Sequence, residues 1–216
     1  MKKRLAVLTL FSITFAFFVT AEMYFIRSHY YPNGFDFPVK LLKGLPLAIE
    51  FMRQLANLVI IFCVSYLAGR NFRERMAAFM LVFGLWDIFY YIWFYTLIQW
   101  PPGLMTWDLL YRVPVQWSGP VIAPIIVSIA LVKAALLIFY FESKNWNIKF
   151  NLSDWLVEVF AGIGVLTAFL WNYQKIQQGQ IPEYFPWWIF GVSVGLGICY
   201  FAYRFGTFYI SENRNG

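Results

Sequence analysis

Charge is scarce in this sequence: only 13% of its 216 residues are Asp, Glu, Lys or Arg, and one histidine, His29, and two cysteines, Cys63 and Cys199, make up its metal-binding and redox-active side chains. A single histidine rules out a bis-histidine haem site or a histidine-rich metal centre built by this chain alone, so no metal site is expected. There is no Gly-rich phosphate loop, His-Glu-x-x-His helix or Cys-x-x-Cys pair, and the mechanisms that need them lack their parts. No internal repeat, low-complexity run or inserted soluble domain interrupts the chain, whose longest connections cover about residues 27 to 44 and 99 to 120. The missing repeat weighs against an inverted-repeat transporter architecture. The residues name no cofactor.

Apolar residues are what the sequence has in quantity: 61% of the chain, with a mean hydropathy of +0.60. A water-soluble fold of this size has too much surface to bury that share, so lipid must cover it. Cutting at charge clusters and Pro/Gly-rich stretches leaves apolar segments near residues 5 to 26, 45 to 69, 76 to 98, 121 to 141, 153 to 172 and 186 to 206. Each is long enough to cross a bilayer core as a helix, which takes ~20 residues. The runs are continuous, whereas barrel strands would alternate apolar with polar. The expectation is an all-α bundle of six spans forming one transmembrane domain over residues 1–216. Lys2-Lys3-Arg4, an apolar run and Val19-Thr20-Ala21 also look like a cleavable signal, which would leave five spans. The apolar stretch continues through Met23, Tyr24 and Phe25 to a full membrane length, so six are expected.

Orientation follows from the basic residues. Lys2, Lys3, Arg4, Arg70, Arg73, Arg75, Lys144, Lys149, Arg204 and Arg214 fall on one side of a six-span chain, and Arg27, Lys40, Lys43, Arg112 and Lys175 on the other. The positive-inside rule then places both termini in the cytoplasm, in a bacterial-type inner membrane. The net charge of +6 has the same origin. Scattered over membrane flanks, it implies no nucleic-acid partner. Membrane lipid is the expected surrounding, with partner membrane proteins or further copies of the chain as possible neighbours. Trp100, Trp107, Trp117, Trp187 and Trp188 are expected at the outer interface and Trp146 and Trp155 at the inner one, as belt residues. Cys63 and Cys199 read as buried free thiols.

The outer connection from Gln99 to Pro120 is the most distinctive segment. Thr106 is placed to cap a short helix that Pro114 would end, with Asp108 and Arg112 four apart on one face and Trp107, Leu110 and Tyr111 offering apolar surface. With Trp117 it is expected to lie at the interface as an outer cover over the bundle. Pro120 and Pro124 punctuate the start of span four. Gly191, Gly195 and Gly197, with Ala161, Gly162 and Gly164, mark helix-packing faces.

Polar groups deep in the spans are the candidates for function, because ionised side chains there are costly. Asp87 is the strongest, at the middle of span three and far from both ends. Glu50, Arg53 and Asn57 fall at i, i+3 and i+7 of span two, with Gln54 beside them, a stripe that should face protein. Asn57 and Lys133, near the centre of span four, are the expected partners of Asp87. Glu22 and Glu158 read as solvated helix ends. The function this favours is binding or translocation of a small or amphiphilic molecule through an intramembrane polar centre of Asp87, Arg53, Glu50, Asn57 and Lys133. A non-catalytic accessory subunit and a membrane enzyme using carboxylates on a lipid-like substrate are the alternatives.

Overall fold

The computed structural model describes residues 1–30, 44–111, 115–146, 150–180 and 182–215. Its elements run in the order α1 (Lys2–Tyr30), α2 (Leu45–Ala68), α3 (Phe72–Ile98), β1 (Trp107–Tyr111), β2 (Trp117–Pro120), α4 (Ile122–Ser143), α5 (Leu152–Leu170), α6 (Tyr173–Gln177) and α7 (Trp187–Asn215). Six segments are long and apolar enough to cross a membrane, built on α1 to α5 and α7, the fifth running from Leu152 to Gln177 and so including the five-residue α6. The chain is a multi-pass integral membrane protein. α3 is the hub, packed on α1, α2 and α4, while α5 pairs with α7.

The helix termini show why the spans stop where they do. Gly44, at φ 63°, opens α2, whose first turn carries Pro46, where a lost N–H costs nothing. The Asn71 side chain accepts from the Glu74 N–H at 2.9 Å and starts α3. Glu74 also accepts from the Arg70 N–H at 2.8 Å and from Arg4 Nη1 at 2.7 Å, and Arg4 donates to the Ala68 carbonyl at 3.0 Å. One arginine of α1 therefore ties down the α2–α3 turn. At the same end of the bundle Arg73 pairs with Glu142, and Arg204 holds Asp154 through contacts of 2.7 and 3.0 Å. This is the ionic end of the molecule. Glu74→Ala is expected to cost about 1–3 kcal/mol, because it removes the ionic partner of the half-buried Arg4 and the acceptor of the Arg70 N–H. The thermal midpoint of the detergent-solubilised protein should fall accordingly, and an unchanged midpoint would mean that the knot holds nothing.

The opposite end differs from expectation. The short helix expected between Thr106 and Pro114 is instead the first strand of a two-stranded antiparallel hairpin, in which Trp107 faces Pro120, Asp108 faces Gly119, Leu109 faces Ser118 and Tyr111 faces Trp117. Thr106 Oγ1 does not cap a helix; it accepts from the Gly103 N–H at 3.2 Å. A helix this short leaves most of its backbone polar groups unpaired near lipid, whereas pairing with Trp117–Pro120 satisfies them. The hairpin is seated on the bundle: a Cβ at Gly119 would lie 3.1 Å from both Phe169 and Phe185, so a side chain there would have to push both rings back by a few tenths of an ångström. Arg112, expected four residues from Asp108 on one helix face, lies outside the described residues.

The belt also differs. Trp100 is buried, and Trp107 and Trp117 are half-buried against the bundle, leaving Trp187, Trp188 and Trp155 on the outside. Cys63 and Cys199 are free and exposed on helix surfaces, not buried.

Candidate functional site

The buried face of α2 consists of Glu50, Gln54, Asn57, Ile61 and Ser65. Four of these five are polar, so α2 turns a polar stripe into the protein and its apolar surface outward, as a lipid-facing helix should. Near the hairpin end, Arg53 donates to both oxygens of Glu50, Nε to Oε2 at 2.8 Å and Nη2 to Oε1 at 2.7 Å, while Gln54 donates to Glu50 at 2.9 Å. Arg53 Nη2 also lies 3.1 Å from Met23 Sδ, and Nη1 stands 3.5 Å from Glu22 Oε2 of α1. Glu22 is thus part of this cluster and not only a solvated helix end. Asn57 is buried one turn deeper.

Asp87 sits at the middle of the 27-residue α3. Its bond comes from Ser128 of α4, whose Oγ donates to Oδ2 at 2.7 Å. Ser128 is the neighbour of Asp87 that sequence reasoning missed, and Gly84 is what brings it there: a Cβ at Gly84 would lie 2.7 Å from the Ser128 carbonyl oxygen and 2.9 Å from Val132 Cγ2. Lys133, expected at Asp87, is turned elsewhere. It lies five residues beyond Ser128, about 140° round the helix, and lines a different cleft.

The hairpin closes the centre from above. Tyr91 of α3 donates to Asp108 Oδ2 at 3.1 Å, and Asp108 is almost completely buried. Asp108, read as a cover residue, is therefore an interior carboxylate, near enough for its charge to act on Asp87. Tyr111 packs its ring on Trp86 at 6.5 Å and on Trp117 at 5.7 Å. Burial pushes the Tyr111 phenol well above its ordinary range, the charge of Asp87 adds to this, and the charge of Arg53 opposes it. Tyr111 thus shares one electrostatic neighbourhood with Asp87, Arg53 and Tyr90. Three donors in this aromatic group are buried without a hydrogen-bond partner, Tyr111 Oη, Trp86 Nε1 and Trp117 Nε1, while Arg53 Nη1 has the 3.5 Å ion pair to Glu22. Such groups normally find partners, because an unmade buried bond costs about 1–3 kcal/mol.

The chain matches no protein family, no curated protein and no solved structure. The site has to be read from its own atoms. It falls into two groups, Glu50, Arg53 and Gln54 of α2 with Glu22 of α1, and Asp87 of α3 with Ser128 of α4 beneath Asp108 and Tyr111; Asn57 is buried on the same face of α2 as Glu50, and Lys133 is left out. No group of three His, Cys, Asp or Glu side chains suited to a metal ion occurs among the described residues.

A further pattern in the sequence, Gly191-Val192-Ser193-Val194-Gly195, has the Gly-x-Ser-x-Gly spacing of a nucleophile elbow. It lies inside α7, not at a strand-to-helix turn, and Ser193 packs against Gly164 of α5. The geometry that exposes a nucleophile is missing, so the serine serves helix packing here.

Proposed function

We propose that this protein binds a small or amphiphilic molecule, and passes it across a bacterial-type inner membrane, at the polar centre beneath the hairpin. The observation that carries this reading is the set of three buried donors without a hydrogen-bond partner, Tyr111 Oη, Trp86 Nε1 and Trp117 Nε1, whose rings meet at Tyr111 between the hairpin and the helix that carries Asp87. A ligand bearing hydrogen-bond acceptors would satisfy them, and the aromatic walls from Trp86, Tyr90 and Tyr111 suit an apolar body. The positive-inside rule puts the ionic end in the cytoplasm and the hairpin outside, so the polar centre would load from the outer face.

The test is Asp87→Asn and Tyr111→Phe in the full-length protein purified natively, with small molecules extracted and identified by mass spectrometry. Wild type is expected to carry a bound molecule, Tyr111→Phe about one tenth as much, and Asp87→Asn none, while all three melt at similar temperatures. If wild type carries nothing and Asp87→Asn only melts earlier, the polar centre is structural.

One observation favours a second reading, a non-catalytic accessory subunit. A Cβ at Gly191 or Gly195 would meet nothing within 4 Å, so these two glycines, expected to pack helices within the chain, present flat surface on α7, where a partner helix could approach closely.

A further inference from the structure

Between α4 and the α5–α7 pair lies an apolar cleft of about 550 Å³, which adjoins a second of about 300 Å³ towards the ionic end; Met80, Leu131, Glu158 and Phe201 line both. The larger volume is in the range of ligand pockets. Two opposite charges face into it, Lys133 from the middle of α4 and Glu158 from α5, about 9 Å along the helix from its start at ~1.5 Å per residue. Among the described residues neither forms an ion pair. Lys133 is exposed at mid-helix, and Glu158 Oε1 is buried without a hydrogen-bond partner while Oε2 rests against Gly197. The neighbouring charges are already committed. Asp154 and Arg204 hold each other at 2.7 and 3.0 Å, and Tyr200 donates to Asp154 at 2.8 Å.

A cation and a carboxyl group at membrane depth, each without a protein partner, call for an occupant that brings both counter-charges. We propose that this cleft binds an aminophospholipid, with its phosphate at Lys133, its primary ammonium at Glu158 and an acyl chain along the apolar walls of α4 and α7. The primary amine matters because Glu158 Oε1 needs an N–H donor. A choline head group carries the same two charges but has no N–H, and a glycerol head group has no cation. This site shares no residue with the polar groups at Asp87 and Arg53, and the proposal stands independently of them.

The test is a titration of the full-length protein in non-ionic detergent with phosphatidylethanolamine, phosphatidylcholine and phosphatidylglycerol of identical acyl chains, bound lipid being counted by native mass spectrometry. Phosphatidylethanolamine is expected to bind about tenfold more tightly than the other two, the worth of one charge-assisted hydrogen bond. Lys133→Gln should weaken all three lipids, with Lys133→Arg restoring them. Glu158→Gln should erase only the advantage of ethanolamine over choline. Tighter binding of phosphatidylglycerol, equal binding of all three, or a preference that survives both substitutions would overturn the proposal. The comparison of lipids on the unaltered chain decides the matter even where a variant folds poorly.

Discussion

Gly84→Leu is expected to abolish recovery of folded protein. The position has no room, because even a methyl group there would sit 2.7 Å from the backbone oxygen of Ser128 and 2.9 Å from the side chain of Val132. A rotamer change moves Val132, but nothing short of parting α3 from α4 moves the Ser128 carbonyl. Gly84→Ala should cost about 1–3 kcal/mol as the helices separate by a fraction of an ångström, and leucine, with three more carbons, should cost the interface. Thermal midpoints and the monodisperse fraction on gel filtration would measure both. Ser128→Ala provides the control: it removes the donor to Asp87 without crowding, so it should lower stability by about 1–3 kcal/mol and leave the yield intact. A Gly84→Leu protein as stable as wild type would mean that α3 and α4 do not meet at this residue.

That contact also marks where sequence reasoning stops. The six spans were legible because runs of about twenty apolar residues between charge clusters have one physical outcome in a bilayer, and they occur within a few residues of the expected limits. The polar stripe of α2 was legible for the same reason, since period 3.6 puts Glu50, Arg53 and Asn57 on adjacent faces of the helix whatever surrounds it. Partners across helices were not. Which α4 residue meets Asp87 depends on the rotation of α4 about its own axis, and charge made Lys133 the conspicuous candidate. The close approach at Gly84 fixes that rotation, which brings up Ser128, a residue unremarkable in an apolar helix, and points Lys133 into the other cleft.

The hairpin was misread for a related reason. Asp108 and Arg112 at a spacing of four fit a helix, while the evidence for a strand lay ten residues on, in the partner Trp117–Pro120. Periodicity within a segment carries no information about a pairing outside it. The consequence is chemical: on a surface helix Asp108 would be a rim charge, whereas on the strand it is an interior acceptor for Tyr91. Glu158 shows the same limit, since its depth along α5 was readable but the cleft beside it, formed with α4 and α7, was not.

Arg53→Met should be the most damaging substitution in the polar centre. Glu50 is 5% exposed and takes both of its strong bonds from Arg53, so the variant leaves a buried carboxylate with Gln54 as its remaining donor. Breaking such a pair from one side costs about 3–5 kcal/mol, and Glu50→Leu should cost a comparable amount by stranding the arginine. The double variant is expected to recover most of the loss, because two well-packed apolar groups often replace a buried pair at little cost. A coupling of several kcal/mol in this cycle, measured by thermal unfolding in detergent, is the expected result; additive losses would mean that Arg53 is held by something other than Glu50. Glu22→Gln should change stability by less than about 1 kcal/mol, since its carboxylate is 37% exposed and 3.5 Å from the guanidinium. The double variant also separates structure from function. It keeps the bundle while removing the Arg53 guanidinium, whose charge reaches Tyr111, so a stable double variant that no longer carries the native ligand would place Arg53 in the binding site, and one that still carries it would confine Arg53 to holding α2.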